Sequence, residues 1–128
     1  SFLSLLVQIY GNAEKNFDVP ASAFWPMPKV NSSLISITPY PDSTFDDEFI
    51  IDLLSVIKIG FSAPRKQIHN VFKMSLDINP SKLDKMLFAS NISPKARAQH
   101  ISLDSWVSLT KYFKNEFSVM LGELRNVY

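Results

Sequence analysis

The segment VPASAFWPMPKVNSSLISI, Val19 to Ile37, decides how the rest of the chain is read. Its second half alternates. Leu34, Ser36 and Thr38 fall on one face and Ile35 and Ile37 on the other, which predicts a strand over Ser33–Thr38. Its first half, Pro20 to Asn31, is a connection carrying three prolines and two adjacent aromatics, Phe24 and Trp25. Loops of this length without structure of their own are uncommon and often functional. Pro26 and Pro28 fix φ and stiffen the backbone, so an aromatic beside them is presented instead of collapsing inward. A shorter strand is predicted just upstream, over Lys15–Val19, and two strands alone are marginal in water. This region therefore reads as the edge of a larger sheet. Ahead of it Phe2, Leu5, Leu6 and Ile9 recur at helical spacing from the first residues, like the end of a helix whose start lies upstream.

After Pro39 and Pro41 the periodicity changes. Phe49, Ile50, Leu53, Leu54, Ile57 and Phe61 recur at 3.6-residue spacing and predict an amphipathic helix over 46–59, with Thr44 and Asp47 as an approximate capping pair. Pro64 suits the first turn of a second helix running to about Lys73. Asn79-Pro80 starts a third, with Leu83, Met86 and Leu87 on one face, and Ser93-Pro94 opens a short helical turn. Ser102 caps the last helix, whose apolar face is Leu103, Trp106, Val107, Leu109, Phe113, Phe117 and Leu121. The expected fold class is mainly α. Residues 43–128 form a small helical domain, and residues 1–42 are a remnant of a different layer.

Composition excludes several classes. A hydrophobic share of 46% with 20% charged residues in 128 residues belongs to one globular domain, not to a disordered or fibrous chain. No apolar run approaches the roughly 20 residues that span a bilayer, which argues against a membrane protein. Phe2 to Tyr10 is apolar, but no basic region precedes it and no A-x-A-like site follows, which argues against a signal peptide. The chain has no cysteine, hence no disulfide framework, thiolate zinc site or cysteine nucleophile, in keeping with a cytoplasmic protein. His69 and His100 have no partner at metal-ligand spacing, so metal chemistry is set aside. The net charge of +1 conceals a local block: residues 58–97 hold eight basic side chains against Asp77 and Asp84, a surplus of six. Such a block is the footprint of a phosphate-binding face, or else a solvated helical surface.

Three ordered stretches carry a resemblance. VPASAFWPMPKVNSS resembles the V-P-P-x-A-F-x-P-x-P-K-V-D-S-A signature of the small-subunit ribosomal RNA adenine dimethyltransferases, with Ala21 for the second proline and Asn31 for the aspartate. FSAPRKQIHNVF, Phe61 to Phe72, is similar to that family's F-x-x-R-R-K-x-x-x-N-x-L, with Pro64 where the first arginine stands. ARAQHISLDSW, Ala96 to Trp106, is similar to its A-R-A-E-x-L-S, with Gln99 for the acid. The resemblance implies that residues 1–42 are the last helix and two strands of a Rossmann-like α/β methyltransferase sheet, and that 43–128 position RNA. It further implies a parent enzyme that dimethylates adjacent adenines near the 3′ end of small-subunit rRNA from S-adenosylmethionine, with the immature small ribosomal subunit as partner. The family's glycine-rich donor turn and N-L-P-Y-type tetrapeptide have no match: the glycines are Gly11, Gly60 and Gly122. Donor site and catalytic cluster are therefore expected upstream of Ser1, and this chain alone is expected to be inactive.

Residue roles follow from that resemblance. Phe24 matches the aromatic that packs against an extruded adenine, a role the chemistry of base modification requires. Packing onto the sheet is the alternative for Phe24 and Trp25, and the P-x-P-K context with Pro26 and Pro28 favours presentation. Lys29 either neutralises a phosphate beside the extruded nucleotide or pairs with Asp18 or Glu14. Arg65, Lys66, His69 and Lys73 fall at i, i+1, i+4 and i+8, so much of the second helix's exposed surface is expected to be basic, with Asn70 beside them to hydrogen-bond sugar or phosphate. Lys111 and Lys114 lie in a charge-neutral segment and provide a comparison. Arg97 reads as structural, pairing with a helix C-terminus or with Asp104, and Trp106 as core. Two rival functions remain: a macrolide-resistance methyltransferase of large-subunit rRNA, against which the R-K-x-x-x-N and A-R-A blocks argue, and a non-catalytic RNA-binding or transcription-factor protein on the same scaffold.

Overall fold

The computed structural model describes residues 1–40 and 45–116. The chain divides into two compact units, Leu3–Thr44 and Phe45–Tyr128, the latter with Ser1 and Phe2. The expected boundary between residues 42 and 43, the proposed cap Thr44, and Phe117 and Leu121 lie outside the described residues.

In the first unit helix α1 (Phe2–Tyr10) leads directly into strand β1 (Gly11–Val19), which pairs antiparallel with β2 (Ser32–Pro39). β1 begins four residues earlier than the apolar pattern predicts. The added residues are polar or small, and they complete the ladder opposite Ser36–Pro39. Gly11 is required there: a Cβ would stand 2.6 Å from the Thr38 carbonyl oxygen. The pairing shifts register between Lys15 and Phe17. At the bulge Asn16 donates to the Ser36 hydroxyl at 2.6 Å. The Tyr40 amide donates to the Tyr10 carbonyl at 3.0 Å, joining the end of the hairpin to the end of α1. Every residue of β2 is exposed, Ile35 and Ile37 included.

Among the described residues the second unit has four α-helices: α2 (Asp47–Gly60), α3 (Ile68–Ser75), α4 (Pro80–Ala89) and α5 (Leu103–Glu116). α2 packs on α3 and α5, α3 on α4, and α4 on α5. Their apolar stripes meet in a core that includes Leu53, Ile57, Ile68, Phe72, Leu83, Leu87, Trp106, Leu109 and Phe113, all buried. α2 is capped by Asp46, not by the expected pair of Thr44 and Asp47: the Asp46 carboxylate accepts from the Phe49 amide at 2.7 Å, and Asp47 is the first helical residue. Asp47 and Glu48 in its first turn and Lys58 in its last complement the helix dipole. Asn79 caps α4 with Pro80 at its first position, and Asn91 ends that region with φ at 61°. The Ser102 hydroxyl accepts from the Ser105 amide at 3.2 Å, as expected for the start of α5. Trp106 is fully buried, its ring stacked 6.0 Å from Phe61 and set against Gly60, where a Cβ would lie 2.3 Å from the indole.

Two local expectations are corrected. α3 starts at Ile68, not at Pro64, because Phe61–Lys66 is occupied by turns. Its first amides are satisfied from afar: Ile68 donates to the Ala96 carbonyl at 2.7 Å and His69 to the Pro94 carbonyl at 3.1 Å. Ser93-Pro94 likewise opens a single turn, closed by the Ala96 amide on the Ser93 carbonyl, and the helical turn comes later, at Ala98–His100.

Candidate nucleic-acid interface

In the first unit the loop between β1 and β2 has a hydrogen-bonded neck. Asn31, which stands where an aspartate was the expected type, accepts from the Ala21 amide at 2.9 Å and draws the two ends together. A short 3-10 turn, Ala21–Ala23, follows Pro20, with Ala23 and Phe24 amides donating back to Pro20 and Ala21 at 3.0 and 3.2 Å. The chain then turns outward through Phe24, 43% exposed, and Trp25, 97% exposed, into a cis Trp25–Pro26 peptide. Neither aromatic is plugged into this unit. Met27 and Val30 are exposed beyond them, and Pro28 is half-buried.

The two readings of Lys29 separate on Asp18. That carboxylate is held by Lys15 at 2.8 Å and by the Ser33 hydroxyl at 2.8 Å. The Lys15 ammonium first, and the Ser33 hydroxyl second, hold the Asp18 carboxyl below its ordinary range. Lys29 is exposed and has no ion-pair partner among the described residues, so its ammonium is available at the foot of the loop.

In the second unit the basic motif is split. Lys66, Gln67, Asn70, Lys73 and Met74 line one surface groove of about 550 Å³. The Lys66 ammonium reaches over the groove to within 3.6 Å of the Met74 sulfur. Two ammonium groups and two side-chain amides thus line one surface depression, and phosphate oxygens are the ligand such donors suit. Arg65 and Lys66 precede α3 and are not on it, contrary to the helical placement expected from Pro64. Arg65 is outside the groove lining. His69 turns to α4, its Nδ1 2.5 Å from the Asp84 carboxylate, so one ring nitrogen is engaged within the fold.

Gln67 and Met74 were not singled out from sequence. They lie at i and i+7 with Asn70 at i+3, a helical stripe visible once α3 is known to begin at Ile68. Arg97 is structural, but its partner is neither Asp104 nor a helix end: its Nε donates to the Arg65 carbonyl at 2.9 Å. Lys114 is also not a plain comparison residue, since its ammonium lies 3.6 Å from Asp52, a carboxylate buried in α2. Lys111, exposed on α5, keeps that role.

Comparison with known proteins bears on the family to which the chain belongs. The sequence model for ribosomal RNA adenine dimethylase matches residues 1–115. The chain is 39% identical over 114 residues to ribosomal RNA small subunit methyltransferase A of Helicobacter hepaticus, covering 88% of this chain and 39% of that protein. It is 35% identical over 113 residues to the protein of the same name from Fusobacterium nucleatum, covering 88% and 42%. The chain thus spans about two fifths of the length of these curated relatives. Among solved structures, the 23S rRNA methyltransferase ErmE superposes with a TM-score of 0.66 at 15% identity, over 87% of this chain and 45% of that one. A dimethyladenosine transferase from Plasmodium falciparum superposes with a TM-score of 0.63 at 19% identity, over 91% and 50%. At those identities the superpositions speak to fold alone.

Proposed function

Because the chain belongs to the ribosomal RNA adenine dimethylase family, we propose that it forms the C-terminal part of an enzyme that dimethylates adjacent adenines near the 3′ end of small-subunit rRNA, with S-adenosylmethionine as donor. On this proposal residues 1–42 close the methyltransferase sheet, and residues from 43 onward hold the RNA. The exposed apolar residues of β2 support the first half: Leu34, Ile35 and Ile37 are the kind of surface a larger sheet covers. The observation that carries the second half is the convergence of Lys66, Asn70 and Lys73 on one groove. Phe24 stacks on the extruded adenine, Pro26 and Pro28 hold it forward, and Lys29 takes the adjoining phosphate. Arg65 and His69 supplement the groove from its margin.

A nucleoside donor does not fit the described residues. The space left by the two described glycines is filled by the chain itself, Gly11 by the Thr38 backbone and Gly60 by the Trp106 ring. Donor binding on this proposal belongs to sequence N-terminal to residue 1, and this chain by itself transfers no methyl groups. The reading carries with it a cytoplasmic location, where a bacterial small subunit like those of the named relatives is assembled; separately, no described helix is long and apolar enough to cross a membrane.

The relatives favour the small-subunit substrate over the large-subunit one, since those aligned at 35–39% identity are named for the small subunit. The test is methyl transfer by the longer protein from labelled S-adenosylmethionine to immature small subunits and to large subunits. Dimethyladenosine in small-subunit rRNA is expected. Label in large-subunit rRNA would favour the macrolide-resistance type, and RNA binding without label a non-catalytic scaffold.

A further inference from the structure

The peptide unit between Arg65 and Lys66 is gripped at both ends. Its N–H donates to the Ala63 carbonyl at 3.0 Å, and its oxygen accepts from Arg97 Nε at 2.9 Å. Arg97 stands 32 residues away, at the start of the Ala98–His100 turn, whose Ala98 is buried. Two further bonds run between the same segments, from the Ile68 and His69 amides to the Ala96 and Pro94 carbonyls. Those two are backbone to backbone. The bond from Arg97 is the one of the three made by a side chain, and it acts on the peptide immediately before Lys66. Lys66 and Gln67 are the first residues lining the groove, and Gln67 caps α3 without a side-chain bond of its own. Local sequence closes only one side of this peptide, through the bond to Ala63; the other side, the Arg65 carbonyl, is held by Arg97.

We infer that Arg97 is a positioning residue for the RNA groove: by holding the Arg65 carbonyl it sets the direction in which Lys66 enters the groove, and it does so through Nε, not through its charge. The inference rests on the groove being the RNA contact proposed above. It is distinct from a role in which the Arg97 guanidinium itself meets a phosphate.

Side-chain geometry separates the two. In glutamine the amide nitrogen occupies the place of arginine Nε, so Arg97→Gln keeps the donor and removes the charge. In Arg97→Lys a methylene occupies that place, so the charge stays and the donor is lost. Arg97→Met loses both. The measurement is affinity of the full chain for a structured RNA carrying the small-subunit 3′-end sequence, at several salt concentrations, with Lys66→Ala in parallel and thermal midpoints recorded. Positioning predicts that Arg97→Gln binds within about twofold of wild type, while Arg97→Lys and Arg97→Met bind about threefold to tenfold more weakly, the range for one lost hydrogen bond. All three keep the wild-type slope of log affinity against log salt. A direct phosphate contact predicts the reverse order, with Arg97→Lys near wild type and the slopes of Arg97→Gln and Arg97→Met flatter by about 0.7–0.9, and would overturn the inference. So would lowered midpoints with unchanged affinities, which would assign Arg97 to stability alone. If Lys66→Ala changes neither affinity nor slope, the groove is not the RNA contact and the inference falls with it. If Lys66→Ala does and the Arg97 order is not found, the inference fails alone.

Discussion

Phe24 and Trp25 emerge from a loop whose neck is tied by Asn31 and whose tip is stiffened by Pro26 and Pro28. A buried aromatic and a base-gripping aromatic make opposite predictions here. If Phe24 stacks on the target adenine, Phe24→Ala in the longer enzyme costs on the order of 1–3 kcal/mol in methylation, with donor binding little changed. Turnover within twofold of wild type would make Phe24 a packing residue. Asp18 offers a second check at this scale. Lys15 and Ser33 lower its carboxyl in the folded chain, so its contribution is present above the ordinary carboxylate range and is lost as pH falls through the folded value. An NMR titration is expected to place the Asp18 midpoint below the usual value of about 3.9. A midpoint at or above that would mean that the pairing with Lys15 is not populated in solution. From sequence alone Asp18 was read only as a candidate partner of Lys29, with Glu14 as the other. In the fold Asp18 is instead taken by Lys15, across the register shift at Asn16, and by Ser33 on the paired strand.

Among the elements, α1, α4 and α5 could be read closely because their signals are local: apolar residues at 3.6 spacing, a proline at the first position, and a serine or asparagine cap. α3 could not. Pro64 is a fair helix-start signal, but the amides that begin the helix are satisfied by Pro94 and Ala96, and partners that distant in sequence leave no trace in the local pattern. The same blindness hid Arg97's bond to Arg65 and the engagement of His69 by Asp84. Gly60 was equally silent in the sequence. It lets α2 approach the Trp106 ring, and Gly60→Ala places a methyl group inside the indole's contact distance. Overpacking of this kind costs about 1–3 kcal/mol or more, so thermal unfolding of Gly60→Ala is expected several degrees below wild type. A midpoint unchanged from wild type would mean that the packing of α2 on α5 is looser than described.

At the scale of the whole molecule, family membership was legible because three motifs survive in order, while the composition of the site was only half legible. The basic surplus over residues 58–97 covers the stretch in which the proposed groove lies. It does not say that Lys66 and Lys73 line one groove with Asn70 while Arg65 and His69 are not among its lining residues. Incubated with labelled S-adenosylmethionine and immature small subunits, this chain alone is expected to show no methyl incorporation, and incorporation above background would mean that a donor site has been overlooked. The central claim is that the groove on the helical unit holds RNA. It is tested most directly by the salt dependence of binding to a structured small-subunit rRNA fragment for Lys66→Ala, Lys73→Ala and Lys111→Ala. Removing one phosphate-neutralising ammonium flattens the log–log slope by about 0.7–0.9, so Lys66→Ala and Lys73→Ala are expected to show that change and Lys111→Ala the wild-type slope. Equal slopes in all three would contradict the account and leave the helical unit as a structural cap.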